Sequence, residues 1–480
     1  MIFDFLQFFR LKKVNIPKIL QDFYKVFEKN GFQAYLVGGA VRDICLKKKP
    51  SDWDIATNAT PQDVMKMFKF VVPTGFEHGT VTVHFNKTEI EVTTFRTESG
   101  YSDARHPDQI NYAATIEEDL ARRDFTMNAI AVNLKNGKIV DPYGGQKDIK
   151  KRLIRTVGNA HERFMEDGLR PIRALRFASK LGFAIEEKTY QEISQKDVQN
   201  KITSISIERF RDEFEKMMLS KKPSVALKLM EETGILNLFI PEFSKCRGCI
   251  QSDYRAFHKF DVLDHLFYAC DGAPENKLNV RLASLFHDIG KPDAKNITMQ
   301  EVFDSKECCK KNLETITFYN HEKYSAEITQ KIMTRLKFSN EMIKNVIHLV
   351  KEHMFHYEEN WTNAAVRRFI IRVGKENLED LYDLRFADMY GMWNQKIEIK
   401  YSEPVALLLE LKERINEELM KQNALSLKDL NVNGKDLMEN GIPAGKKLGE
   451  ILNHLLNCVI EDPSLNSREK LLEIVKNIDK

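Results

Sequence analysis

Two aspartates two residues apart, Asp52 and Asp54 in the run PSDWDIA, stand downstream of a diglycine, Gly38-Gly39, and an arginine, Arg42. Successive side chains on a strand point to opposite faces, so residues i and i+2 share one face. On a strand the pair therefore presents two carboxylates side by side, which repel unless a cation lies between them. Hard, oxygen-liganded Mg²⁺ suits that position, above all when phosphates complete its shell. The diglycine supplies a turn where backbone N–H groups can approach a phosphate, and Arg42 adds positive charge at the same mouth. A lone D-x-D is more simply an acidic surface turn. It is the company of the diglycine, the arginine and the later elements that favours phosphate and metal chemistry.

A second set of potential ligands lies farther along. His265, then His287-Asp288 in LFHDIGKP, then Asp388 in LRFADMYG follow the H…HD…D order of HD-domain phosphohydrolases. Adjacent His and Asp at a helix end, stopped by Gly290 and Pro292, can reach one ion from one turn. Imidazole plus carboxylate suits Mn, Fe, Ni or Zn better than Mg. His321 and His353 fall where HD proteins with two metals carry extra histidines; His258 and His356 are less well placed. A single histidine is usually a core or surface residue, so the ordered set with GKP is what argues for a metal. Hydrolytic activity is a separate matter, because ligands can persist for structure alone. Cys246 and Cys249 form a CxxC without the repeated spacing that zinc sites show.

The run LVGGAVRD followed by SDWDIATNATP resembles the opening motif of class II tRNA nucleotidyltransferases, the CCA-adding enzymes, which share it with bacterial poly(A) polymerases. The resemblance implies that Asp52 and Asp54 bind the catalytic metals while Gly38, Gly39 and Arg42 contact the nucleotide triphosphate. Trp53 departs from the usual middle residue without touching the catalytic positions. An EVTTFR strand like the family's places Glu91 as a third carboxylate, with a solvated glutamate as the alternative. EEDLARRDFTMN resembles the second signature, which implies Arg122, Arg123, Asp124 and Asn128 around ribose and triphosphate; a surface ion-pair cluster is the alternative, and the length of the match across RRDFTMNAIA argues against it. The Gly-, Ser-, Asp- and Pro-rich run 97–111, with Asp103 and Arg105, reads as a mobile loop; in the family such a loop serves addition of the last A.

FMEDGLRPIRALRF resembles the family's EDxxR motif, in which the protein acts as template. Asp167 and Arg170, three apart, would share a helix face, with Arg173 and Arg176 following. A carboxylate accepts from an exocyclic amino group and a guanidinium donates to ring acceptors, so the pair could read C and A while rejecting U and G. An exposed Asp–Arg pair worth almost nothing is the alternative. Pro171 could kink that helix or mark its boundary.

These residues need positioning elements. Apolar spacing predicts a helix over 16–29, ended by Asn30-Gly31, a buried strand at 34–37 and a helix at 41–46 rising from the diglycine. Thr60-Pro61 opens another helix. Residues 80–85 and 89–95 alternate as a hairpin about Asn86-Lys87. From Arg163 onward the pattern predicts helix throughout, with 206–219 resembling the family's neck helix and 425–477 its C-terminal segment.

A chain of 480 residues exceeds one core and predicts two to four domains. With 42% hydrophobic and 30% charged residues and no apolar run of membrane length, a membrane span is not expected. The lead MIFDFLQFFRLKK lacks a signal peptide's basic n-region and cleavage site. Seven cysteines, an odd number, point to reduced thiols and a cytoplasmic location. A net charge of +3 neither marks nor excludes a nucleic-acid binder. The expected fold is α+β: a mixed-sheet nucleotidyltransferase head at 1–150, then a neck at 151–220, body helices at 221–255, an HD domain at 256–400 and a helical tail at 401–480. The resemblance implies addition of CCA to the 3′ end of tRNA from CTP and ATP with Mg²⁺, and a possible HD phosphohydrolase activity. A poly(A) polymerase, an HD phosphohydrolase with a nucleotide-binding head and a non-catalytic RNA-binding module are the alternatives. The stretch RTVGNAHERF favours the CCA type over the first.

Overall fold

A computed structural model describes residues 11–99, 109–251, 258–304, 309–393, 403–421 and 424–478. Contacts divide the chain into two units, Met1–Pro241 and Glu242–Lys480. Asp103 and Arg105 lie outside the described residues.

The first unit opens with α1 (Lys18–Lys29), β1 (Ala34–Val37), α2 (Gly39–Cys45), β2 (Asp54–Thr57), α3 (Pro61–Met67) and β3 (Val71–Gly75). It continues with β4 (Thr80–Phe85), β5 (Thr88–Thr94), β6 (Arg96–Ser99), β7 (Gln109–Tyr112), α4 (Ile116–Ala121), β8 (Ala131–Asn133) and β9 (Ile139–Val140). The seven-stranded sheet runs β3-β4-β5-β2-β1-β8-β9. Only the β2–β5 pairing among these is parallel, which makes the sheet mixed. Phe23 and Phe27 of α1 pack with Phe68 and Phe85, while Tyr35, Val37, Ala56, Phe95, Leu120 and Ala131 build another core cluster. Local chemistry sets the elements: Thr60 and Asp63 form a capping box with Pro61 at the first position of α3. Asn86 and Lys87 both take positive φ, as a two-residue hairpin turn demands.

After the sheet come α5 (Gly145–Lys151), β10 (Leu153–Ile154), α6 (Ala160–Glu166), α7 (Leu169–Leu181) and β11 (Ala184–Ile185). Helices α8 (Glu187–Ile193), α9 (Lys196–Thr203), α10 (Ile207–Met218), α11 (Pro223–Glu232) and α12 (Ile235–Phe239) complete the unit. Three expectations are corrected. Asp52 is not on a strand with Asp54, because pairing to β5 begins at the Trp53 carbonyl, which accepts from Glu91 N–H at 3.0 Å. Asp167 does not lie within a helix: its backbone is extended between α6 and α7, and its Oδ1 accepts from Leu169 N–H at 2.9 Å. Pro171 therefore falls in the first turn of α7, where no intrahelical donor is required. Nor is the chain helical throughout after Arg163, since β10 and β11 pair in parallel. The flanks of the 97–111 run also pair, as β6 and β7.

The second unit holds α13 (Val262–Gly272), α14 (Leu278–Phe286), α15 (Lys291–Ala294), β12 (Asn296–Asp304), β13 (Cys309–Thr317), α16 (His321–Arg335) and α17 (Asn340–Glu352). It ends with α18 (Asn363–Val373), α19 (Leu378–Trp393), α20 (Glu403–Met420), α21 (Gly434–Glu439), α22 (Lys446–Glu461) and α23 (Arg468–Ile478). The β12–β13 ribbon is a second departure from the all-helical expectation. Gly391 lets α19 lie against α13: a Cβ there would sit 2.8 Å from the His265 carbonyl oxygen. Among the described residues, no helix is long and apolar enough to cross a membrane.

Candidate active site

A cleft of about 770 Å³ in the first unit gathers most of the residues singled out in the sequence. Gly38, Gly39, Arg42, Asp54, Glu91, Arg122, Arg123, Asp124, Asn128, Asp167, Arg170 and Arg173 all line it. The diglycine bend between β1 and α2 brings the backbone into this cleft. Gly38 has φ +68°, and a Cβ on it would lie 3.3 Å from both Asp54 Oδ2 and Arg123 Nη1. Any side chain there would be strained and would fill the space beside the carboxylate.

Asp54 and Glu91 are register partners on β2 and β5. Burial, with help from Asp52, raises Asp54 above the ordinary carboxylate range against the pull of Arg123 and Arg42. Burial and Asp54 do the same to Glu91. A half-buried Asp54 beside the more exposed Glu91, next to a space a Cβ would fill, fits an oxygen-seeking divalent cation such as Mg²⁺. Asp52 is exposed, accepts from Ser51 Oγ at 2.8 Å and does not line the cleft, though its charge reaches Asp54 and Glu91.

The arginines are held from behind. Asp119, fully buried, accepts from Arg122 and Arg123; burial opposes its charge, but the two guanidiniums outweigh that and lower it. Asn128 Oδ1 accepts from Arg42 Nη1 at 3.0 Å, and Asn128 Nδ2 donates to Asp124. Asp124 accepts from Arg173 Nε at 2.9 Å, and that partner lowers it against the effect of burial. The second motif thus orients the cleft's cations. At the other end of the cleft Asp167 Oδ2 accepts from Arg209 Nη2 at 2.8 Å, and Arg170 donates to Glu166 and to the Arg122 and Arg163 carbonyls. Arg176 departs from its expected place: it is buried, donates to Glu213, lies 4.1 Å over the Phe177 ring and does not line the cleft.

In the second unit the sequence-predicted ligands converge on two sets that share Asp288. His265, His287, Asp288 and Asp388 form one; Asp288, His321 and His353 form the other, each with its candidate ligand atoms within 4.8 Å of one another. His287, His321 and His353 each direct Nδ1 at a backbone carbonyl, of Ser284, Phe318 and Val350, at 2.7–2.9 Å. Those bonds put the proton on Nδ1 and leave the Nε2 lone pairs facing inward. His265 and His287 then bring Nε2 atoms to 3.1 Å, and His321 and His353 to 3.2 Å. The facing lone pairs of His321 and His353 at that separation require a cation or a proton between them. Burial opposes protonation of His287, yet Asp288 and Asp388 outweigh it and lift the group to about 10. A metal ion answers the same demand, and the imidazole–carboxylate donor set fits Mn, Fe, Ni or Zn. Lys291 and Arg385 pair with Asp288 and Asp388 at 2.6 and 2.7 Å.

Comparison with known proteins shows the family to which the chain belongs. Residues 34–155 match the family described as Poly A polymerase head domain. Residues 182–246 match "Probable RNA and SrmB-binding site of polymerase A", and 314–475 match tRNA nucleotidyltransferase domain 2. A CCA-adding enzyme of Pediococcus pentosaceus is 33% identical over 469 residues, spanning 97% of this chain and 100% of the relative. The chain belongs to the CCA-adding enzyme family. Another CCA-adding enzyme, from Geobacillus kaustophilus, is 48% identical over 210 residues, 43% of this chain and 51% of that one. The CCA-adding enzyme of Bacillus stearothermophilus, solved in complex with CTP, superposes with a TM-score of 0.70 at 28% identity, over 97% of this chain and 99% of that one. A Thermotoga maritima CCA-adding enzyme solved with tRNA shares the fold, with a TM-score of 0.54 at 20% identity.

Sequence reading of this CCA-adding family member missed cleft residues as well. Arg209, which holds Asp167, and the cleft-lining Arg96 and Lys180 were not singled out, although Arg96 ends the EVTTFR run and Arg209 lies in the neck-like stretch 206–219. The buried Asp119 that anchors Arg122 and Arg123 sits in EEDLARRD, where its spacing of three and four to the arginines was the available signal.

Proposed function

We propose that the protein adds C, C and A in turn to the 3′ end of tRNA, using CTP and ATP and no nucleic-acid template. The observation that carries this reading is the joining, in one cleft, of Asp54 and Glu91 with Asp167 and Arg170. Asp54, Glu91 and, from the rim, Asp52 would hold Mg²⁺. When bound, the ions would lower the pKa of the primer 3′-hydroxyl and neutralise charge on the departing pyrophosphate. Gly38 and Gly39 open the backbone to the phosphates, and Arg42, Arg122 and Arg123 balance their charge. Asp167 accepts from the exocyclic amino group of C or A while Arg170 donates to the adjacent ring acceptor, and Arg209 keeps the Asp167 carboxylate in place. Helices after the sheet would meet the RNA by shape and backbone. The division into head, neck, body, HD region and tail belongs to the same proposal.

The test is incubation with tRNA trimmed to its discriminator base, CTP, ATP and Mg²⁺, followed by 3′-end sequencing. CCA ends support the assignment; a homopolymeric A tail points to a poly(A) polymerase.

The shared Asp288 favours a second reading for the other unit. The two ligand sets would hold up to two transition-metal ions, the arrangement of an HD-type phosphohydrolase acting on 2′-, 3′- or cyclic phosphates. Asp54→Ala should abolish CCA synthesis and spare any phosphatase, and Asp288→Ala should do the reverse.

A further inference from the structure

Helix α7 turns one stripe of side chains into the cleft: Arg170, Arg173, Phe177 and Lys180, spaced three, four and three residues apart. Ten residues of helix span about 15 Å, which is the scale of an extended nucleoside triphosphate. The stripe has a direction. Its N-terminal end carries Arg170, beside Asp167, the pair assigned to the base. Farther along, the Arg42 guanidinium lies 5.5 Å from the Phe177 ring, next to the diglycine that opens the backbone to phosphate. Lys180 follows one turn beyond Phe177.

The Lys180 ammonium has an unusual setting. The positive charges of Arg176 and Arg42 act on it, and the carboxylates of Asp43 and Asp52 lie within electrostatic range. Asp43 is already engaged by Arg42 Nε and Nη2 at 3.0 and 2.9 Å. Lys180 forms no ion pair among the described residues. A lysine that lines a cleft among other cations, without a carboxylate of its own, is poised for an anion brought by the ligand. The base lies at the other end of the helix, so the anion at this end is the outer part of the triphosphate.

We propose that Lys180 holds the β- and γ-phosphates of the incoming nucleotide and then the pyrophosphate that leaves. In the transfer the primer 3′-oxygen bonds the α-phosphorus and loses its proton to solvent, the α–β anhydride bond breaks, and pyrophosphate departs with the bonding electron pair. Lys180 touches only the part common to CTP and ATP, so it contributes affinity without base choice. This inference rests on the nucleotidyl-transfer reading of the cleft.

Steady-state incorporation by the full chain and by Lys180→Ala and Lys180→Arg tests it, alongside calorimetric titration with Mg²⁺–pyrophosphate and thermal melts as a folding check. The expected result for Lys180→Ala is a rise of about tenfold in KM for both CTP and ATP. Pyrophosphate inhibition and binding should weaken by a similar factor, the order C, C, A should be kept, and Lys180→Arg should recover most of the loss. Unchanged nucleotide KM and pyrophosphate binding in a folded Lys180→Ala overturns the inference, as does a rise confined to the KM for tRNA, which would assign the lysine to RNA. A wild-type protein that incorporates nothing defeats the nucleotidyl-transfer reading instead. In that event the pyrophosphate titration still decides the role of Lys180.

Discussion

Asp54 of β2 and Glu91 of β5 face one another in parallel register, so the fold brings two carboxylates from distant segments to one face of the sheet. Burial raises both above the ordinary range; the Asp52 charge adds to the rise at Asp54, and the Asp54 charge to that at Glu91. On the proposed reading, the sheet carries this unfavourable pair because the acids serve to hold a cation rather than to stabilise the fold.

Replacing Asp54 should therefore separate stability from activity. A carboxyl raised by burial costs stability above its folded pKa, and the cost fades as pH falls through that value. Asp54→Asn in metal-free protein should melt a few degrees higher than wild type near neutral pH, corresponding to about 1 kcal/mol. The advantage should shrink toward acid pH, and nucleotide incorporation should be lost throughout. Melting curves across pH 4 to 8 check this, and a lower melting point at neutral pH counts against the repulsion.

Asp167→Ala should relax base choice. A well-made pair of base contacts discriminates by about 1–3 kcal/mol, so misincorporation of U or G should rise roughly tenfold to a hundredfold. Arg209→Ala should give a weaker form of the same defect, since it only holds the carboxylate at 2.8 Å. Competition assays with all four nucleotides read both effects.

Arg176 should behave as a structural residue despite its place in the motif. It is buried against Glu213 and Phe177, and breaking a buried pair by removing one partner costs about 3–5 kcal/mol. Arg176→Ala and Glu213→Ala should each lower the unfolding midpoint of the first unit by several degrees. Nucleotide affinity of the folded fraction should change little. A nucleotide KM defect without a stability loss would return Arg176 to the cleft.

Metal content distinguishes the two ligand sets of the second unit. Asp288 belongs to both, whereas His353 belongs to one. Asp288→Ala should lose all transition metal bound by this unit, and His353→Ala should lose one of two ions. Chelation should lower the melting point of wild type by roughly 5 °C or more, because the ion's binding free energy is lost and the inward-facing imidazole nitrogens are left crowded together. Elemental analysis with parallel melts provides the measurement.

Much of this was written locally in the chain. The diglycine, Arg42, Asp54 and Glu91 occupy short segments where residue type and period state the chemistry, and the histidines stand out because so few side chains ligate metals. What stayed hidden depends on distant partners. Arg209 reaches Asp167 across 42 positions and Arg176 reaches Glu213 across 37, separations that no helical period encodes. The break at Asp167 was masked by apolar spacing that continues through α6 and α7, although Pro171 hinted at a boundary. The β12–β13 ribbon was lost in a region that its neighbours make helical, even though NITMQ at its start alternates polar and apolar residues as a strand does.

The central claim is that one cleft both transfers nucleotides and chooses them. The most direct measurement sequences the 3′ ends of trimmed tRNA after incubation with Mg²⁺ and all four ribonucleoside triphosphates. The account predicts that wild type adds C, C and A and stops, that Asp54→Ala adds nothing, and that Asp167→Ala adds mixed bases. Runs of a single nucleotide from wild type, or unaltered CCA from Asp167→Ala, would contradict it.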